Sequence, residues 1–451
     1  MKRHLAILIT SGPENKSFVY SGLLKSLAEH FQISIFTRYP DSLSIQYPLA
    51  GVNIFPLPET TEPRQLQIWR YRSAHVHSLS LKKGGVEKWR HYLNDSQPDR
   101  PDGLRQIFLD KLASPVGVSL FSYIEKKISE KQGINPVWQG IFDEHKINGL
   151  ITSSYSNPLS ITALQTAKNL GLCTWVITNS WKDIFVNPHL PFQLTDFFLW
   201  RQDEVDFLQK ANPAFPGDRI HAVGSLHLAP FISLQDLMPR EEFFTAIGLD
   251  SLRPLINYTT ASPKAVKNED RIVAALIECL KDPSLPVKPQ LIIRTNPMET
   301  EPRFDRFISE DVHIQKPDWE WIPEKAWNCP SREDLRWWVN TVFYSNLNVS
   351  IASSVTLEFD CLGKPVINIC FDLPEALSPS ESNRRFWDAP FYDEVRQKGM
   401  AIPVYNFEEL QQTINNLLIS KTKFESKAYP NWIKQNPITE IDRIISARDS
   451  L

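Results

Sequence analysis

The chain has 451 residues, of which 42% are hydrophobic and 22% charged, with a formal net charge of −3. That length exceeds one ordinary core and suits two domains, and the composition excludes a disordered chain. A near-neutral balance offers no global field to recruit nucleic acid, and no window reaches the apolar length of a membrane span.

The N-terminal run Leu5-Ala-Ile-Leu-Ile-Thr10 reads as a first buried strand rather than a signal peptide. Residues 11–15 form a loop, residues 17–30 an amphipathic helix and Ile33-Ser-Ile-Phe-Thr37 a second strand. This β-α-β opening is Rossmann-like, but it lacks Gly-x-Gly-x-x-Gly, which disfavours a standard dinucleotide site. Residues 52–57 read as a third strand. Residues 60–135 are rich in Arg, Lys and Trp and read as a partly helical insertion, either shaping an acceptor site or forming a solvated excursion. Strands then recur at 148–154, 173–178, 196–200 and 220–225, with a helix over 160–170. Residues 230–254 are polar and marked by proline, as a linker would be. A second alternating series begins at Leu255-Ile-Asn-Tyr-Thr259 and continues through a helix at 268–280 and strands at 290–294 and 312–314. The expected fold is therefore α/β, with two Rossmann-like domains over 1–235 and 236–430 facing each other across a cleft.

Cys173, Cys279, Cys329, Cys361 and Cys370 are dispersed without Cys-x-x-Cys spacing, which leads us to expect reduced thiols and a cytoplasmic location. His75 and His77 lie close together with no cysteine beside them, so no structural zinc is expected.

The most informative segment runs from Tyr344 to Ile369. It reads as a strand, a turn with Ser353 and Ser354, a short helix ending at Gly363, and a buried strand Val366-Ile-Asn-Ile369. A helix start after a strand favours an anion, because free N–H groups and the helix dipole point the same way. Ser353, Ser354 and Thr356 would add hydroxyl donors, and Glu358 emerges one turn later to accept from a ribose diol. A capped helix in any doubly wound domain is the other reading. Thr259, Thr260 and Ser262 follow the first strand of this half, where open α/β sheets bind ligands. Arg294 ends the next strand and could fork onto a phosphate or form a surface ion pair. Trp319 and Trp321 could stack on a base or serve packing. Arg384 and Arg385 lie on a polar loop, either at the ligand or on a solvated face.

The pattern Ser-Ser-x-x-x-Glu followed by Gly-Lys-Pro-Val resembles the donor site of GT-B glycosyltransferases. It is most similar to bacterial envelope-polymer transferases, including the CDP-glycerol glycerophosphotransferase-like group, and to the related non-hydrolysing UDP-GlcNAc 2-epimerases. Arg294-Thr-Asn-Pro297 resembles their Arg-x-His-Pro, with Asn296 in place of histidine; Asn cannot carry a positive charge or transfer a proton. Asn179-Ser-Trp-Lys-Asp183 resembles a Ser-Trp-Asp-Asn motif of surface-carbohydrate transferases, with Lys182 interposed.

The resemblance implies a metal-independent glycosyltransferase without a cofactor, moving a sugar from a nucleotide sugar to a glycan or lipid-linked glycan acceptor. Bacterial surface polysaccharide synthesis, at the inner membrane face, is the implied setting. It also implies a C-terminal helix over 431–451 returning to the first domain. For the base that takes the acceptor proton, Glu14, Asp183 and His189 are candidates, with a first-loop carboxylate favouring Glu14; capping of the following helix is the alternative for Glu14. The open alternatives in function are a nucleotide-sugar 2-epimerase, a glycerophosphotransferase and a non-catalytic nucleotide-sugar-binding relative. An epimerase needs several acid–base groups around one sugar, and the missing histidine at 296 counts against it.

Overall fold

The computed structural model describes residues 2–41, 43, 51–81, 109, 111–283, 285, 287–322, 327–374, 381–419, 424–427 and 436–448; the side chains of 321, 322, 327 and 328 are outside this set. The first half forms a parallel sheet from β1 (His4–Ile9), β2 (Gln32–Thr37), β3 (Val52–Pro56), β4 (Gly149–Thr152), β5 (Cys173–Ile177), β6 (Asp196–Leu199) and β7 (Ile220–Ala222). Its order is β3-β2-β1-β4-β5-β6-β7, with the switch between β1 and β4. β1 is buried throughout, as a central parallel strand covered on both faces must be.

The second half repeats the plan with β8 (Leu255–Thr259), β9 (Gln290–Arg294), β10 (Val312–Gln315), a hairpin of β11 (Trp319–Ile322) and β12 (Trp327–Pro330), then β13 (Leu347–Ile351), β14 (Val366–Ile369) and β15 (Ile402–Val404). Its parallel sheet runs β10-β9-β8-β13-β14-β15, and the hairpin stands apart as an antiparallel pair. Two parallel-sheet α/β domains are thus present, as the alternation implies. At such a reversal in strand order, loops from the carboxyl ends of β8 and β13 diverge and leave a crevice.

One sequence expectation fails locally. The helix expected over 17–30 is broken into a π-helical turn, Lys16–Tyr20, and a helix, Leu23–His30. Gly22 separates them at φ +94°, a backbone angle open mainly to glycine. The break leaves room for the C-terminal helix Pro437–Ala447, whose Ile438 side chain approaches Gly22. Ser26 Oγ donates to Asp442 Oδ2 at 2.5 Å, and Ile441, Ile444 and Ile445 enter the core of the first sheet. Arg448 closes the contact on buried Asp196, 2.7 Å away.

The insertion after β3 contributes the helices Arg64–Leu81 and Pro115–Gln132, which pack on each other. The part of the expected insertion over 82–108 lies outside the described residues. A buried polar chain joins the insertion to the sheet. Arg70 donates to Glu62, Glu125 and Gln165, and Glu125 meets His189 at 2.7 Å. No described helix is long and apolar enough to cross a membrane.

Candidate functional site

A cavity of about 420 Å³ opens at the carboxyl ends of β8, β9 and β13. Thr259, Thr260, Ser262, Arg294, Ser353, Ser354 and Glu358 line it, so seven residues separated by up to 99 positions in sequence share one wall. Lys16, Ser180, Trp181, Lys182 and His227 from the first half close the opposite side.

The loop after β8 is held by buried Glu269, which accepts from Ala261 N at 2.9 Å and from Tyr258 OH at 3.0 Å. Burial pushes its carboxyl up to about 7 against those hydrogen bonds. Thr260 Oγ1 accepts from Asn296 N at 2.8 Å and thereby ties the loops after β8 and β9. Thr259 turns its hydroxyl to Asn348 Oδ1, 3.1 Å away.

Arg294 ends β9, only 6% exposed. Its Nη2 donates to both oxygens of Asp334 at 2.7 Å, and its guanidinium lies over the Trp338 ring. Nη1 is buried without a hydrogen-bond partner among the described residues. Asp334 also accepts from Trp319 Nε1 at 2.7 Å, which fixes that indole at the rim. Lys16 Nζ lies 5.4 Å from the centre of the Trp319 ring, reaching across from the first half. Burial lowers the Lys16 pKa, Glu358 and Asp334 oppose the shift, and Arg294 adds to it. The wall is thus rich in cationic donors.

Ser353 and Ser354 occupy the turn between β13 and the helix Val355–Asp360. Ser354 stands at the N-cap but makes no side-chain cap, contrary to the capping expected from sequence. Gly363 ends the segment at φ +64°, as expected of a C-terminal glycine. Glu358 is 3% exposed, and its two oxygens accept from His227 Nε2 at 2.6 Å and Trp338 Nε1 at 2.7 Å. Burial works to raise its pKa, but His227, Lys16 and the indole N–H outweigh it and hold the carboxyl below its usual range.

Other expected site residues lie elsewhere. Thr356 faces the core, fully buried, with its hydroxyl 2.6 Å from Tyr392 OH, because the position after the turn points inward. Arg384 is solvent-exposed and pairs with Asp388, so the solvated reading holds there. Arg385 instead turns inward and donates to Ala265 O, bracing the loop after β8.

Glu14 does not line the cavity. Its buried carboxylate accepts from Thr10 N, Thr10 Oγ1, Ser11 N and Ser153 Oγ at 2.6–3.3 Å, closing its own loop and tying it to the loop after β4. Asp183 also stands behind the wall. It accepts from Ser180 N at 3.1 Å, and burial pushes its carboxyl up to about 6. The loop it shapes, Ser180-Trp181-Lys182, does line the cavity. His189 is committed to Glu125 in the insertion's polar chain. The Trp321 side chain lies outside the described residues.

Lys16, His227 and Trp338 line the cavity and Asp334 holds Arg294 there; none of these was singled out in the sequence. Lys16 had a visible signal, since it lies two residues beyond the first-loop carboxylate already singled out. The other three carry no local motif.

No protein-family model matches the chain, and no curated protein matches it. Solved structures do. The chain is similar to the UDP-GlcNAc 2-epimerase of Methanocaldococcus jannaschii, at 13% identity and TM-score 0.57, over 98% of this chain and 99% of that one. It is similar to the UDP-GlcNAc 2-epimerase of Neisseria meningitidis bound to UDP-GlcNAc, at 12% identity and TM-score 0.54, over 99% and 100%. It is also similar to the glycosyltransferase of kitacinnamycin, at 9% identity and TM-score 0.50, over 99% of each chain. These likenesses extend over both sheets, and the fold they share with this chain is the two-domain GT-B-like fold.

Proposed function

We propose that this protein is an enzyme acting on a nucleotide-activated sugar held in the cleft between its two sheets. The observation that carries the reading is the cavity wall: Arg294, whose Nη1 is buried without a hydrogen-bond partner among the described residues, Lys16 facing it from the other half, and Ser353, Ser354 and Glu358 alongside. Buried donors without acceptors favour an anion, and two cations suit a diphosphate. In this reading Arg294, Lys16 and the serine hydroxyls meet the diphosphate, Glu358 meets the ribose, and the Trp319 ring borders the base. The charge of the diphosphate is offset by these protein groups.

Two reactions compete. Nucleotide-sugar 2-epimerisation has the better support, because the similar solved structures are mostly UDP-GlcNAc 2-epimerases. Fold likeness is an analogy, so it sets the order of testing rather than the activity. Glycosyl transfer to a glycan or lipid-linked acceptor, the expectation from sequence, is the second reading. It is favoured by the kitacinnamycin glycosyltransferase likeness and by the sparse acid–base set in the cavity. Among the described residues, Glu358 and His227 are the sole carboxylate and histidine lining it, and they bond to each other.

The purified protein should be incubated with UDP-GlcNAc and followed by proton and phosphorus NMR. A second UDP-sugar, epimeric at C2 and formed without acceptor, supports epimerisation. UDP release that requires an added glycan supports transfer. An inert mixture in which none of UDP, CDP, GDP, ADP or TDP stabilises the fold would count against both.

A further inference from the structure

We infer that His227 is a positioning residue for ribose recognition: its ring nitrogen fixes the Glu358 carboxylate in the orientation that accepts a nucleotide's ribose diol. This deepens the nucleotide-sugar reading and rests on it. A carboxylate has about four acceptor directions, two on each oxygen. His227 Nε2 takes one on Oε1 at 2.6 Å, and Trp338 Nε1 takes one on Oε2 at 2.7 Å. One direction on each oxygen remains, so each oxygen can accept one hydroxyl of a cis-diol. With both oxygens held, the carboxylate presents that pair without first ordering itself.

The positioning works only if His227 is itself fixed. Its ring stacks on Trp200, with centroids 6.1 Å apart and planes 16° from parallel, and it contacts Phe231. Trp200 is anchored in turn, its indole donating to Thr178 O at 3.0 Å. Leu226 and Leu228 on either side of His227 are buried in the core. The histidine therefore stands on a rigid stretch after β7, in the first half of the chain, while Glu358 stands on the second. The charged groups around the pair are Lys16, which faces Glu358 from the first-loop turn, and Arg294, which lies on Trp338 and pairs with Asp334. Without the histidine, Lys16 still draws on the carboxylate, but the hydrogen bond to Oε1 is gone. The ribose grip thus depends on a residue from the opposite half, so it is complete only when the halves sit as they do here.

An interdomain hydrogen bond that merely stabilises the fold predicts something different, and nucleotide discrimination separates the two. Affinities for UDP and 2′,3′-dideoxy-UDP should be measured by calorimetry on the full chain. His227→Phe keeps the ring on Trp200 and removes the nitrogen; His227→Gln restores a side-chain N–H donor. We expect the native protein to prefer UDP by about tenfold or more, since a hydrogen bond to a charged group is lost with the diol. In His227→Phe the preference should fall to about twofold or less, and in His227→Gln it should largely return. A Glu358→Gln, His227→Phe double variant should discriminate no worse than Glu358→Gln alone, because both act through one carboxylate. An unchanged preference in His227→Phe, with UDP still bound, overturns the inference and leaves the nucleotide reading standing. Failure of the native protein to bind UDP, CDP, GDP, ADP or TDP overturns both.

Discussion

The Arg294 guanidinium commits Nη2 to Asp334 and leaves Nη1 buried without a hydrogen bond among the described residues. Ligand binding that fills this position should make Arg294→Ala costly for affinity, by about 1.5–3 kcal/mol for a hydrogen bond between charged groups. Asn296 sits in the same wall, but its Oδ1 already accepts from Met298 N at 2.9 Å. Asn296→Ala should therefore change the UDP dissociation constant far less, and titration calorimetry on both variants checks the contrast. Glu14 has the opposite character, a carboxylate saturated by its own loop and by Ser153 of the loop after β4. Glu14→Gln puts an amide where two backbone and two hydroxyl donors converge, and should cost about 1–3 kcal/mol of stability in urea unfolding. A variant with native stability but no turnover would return Glu14 to the role of base. At this scale the common position of Ser353, Ser354, Glu358 and Arg294 along the cavity was legible because each lies at or shortly after a strand end. His227 was not, because its partner lies 131 positions away and only the packing of two halves brings them together. Thr356 misled because hydroxyl chemistry says nothing of which way one residue of a short helix points.

At the scale of elements, two backbone features shape the site. Gly363 ends the helix Val355–Asp360 at φ +64°, and a Cβ there would lie 2.6 Å from the carbonyl oxygen of Phe424. Gly363→Ala should cost at least about 1–2 kcal/mol from the left-handed backbone alone, measurable as a lower urea midpoint. Glu269 pins the loop after β8, and its carboxyl is raised from 4.5 to about 7. Between those values the folded state holds a proton that the unfolded state has released, so stability should fall as pH rises through that window. Unfolding of the native protein and of Glu269→Gln at pH 5, 6 and 7 checks this, the variant showing the shallower decline. The strands were readable from their apolar runs, which parallel pairing buries on both faces. The break at Gly22 was not, because the amphipathic pattern of residues 17–30 continues through it and the helix packed beside it comes more than 400 positions later.

Across the whole molecule, the halves are joined by specific contacts around the cleft. The hairpin of β11 and β12 belongs to the second half, yet Cys329 is buried in the core of the first, where Asn15 Nδ2 reaches its sulfur at 2.8 Å. Tyr20 OH donates to Pro330 O at 2.8 Å, and His227 meets Glu358 on the other side. Arg201 bridges to Glu394 at 2.9 Å. Two α/β halves were legible as two alternating series; the hairpin's reach was not, since a short Trp-rich segment fits any surface. The central claim is that the cleft takes a nucleotide diphosphate through groups from both halves. A crystal structure of the protein soaked with UDP tests it most directly. The account predicts diphosphate oxygens within hydrogen-bond distance of Arg294 Nη1 and a serine hydroxyl at 353 or 354, with Lys16 facing them and the ribose on Glu358. A nucleotide seated on the first sheet alone, away from Arg294 and Glu358, would contradict it.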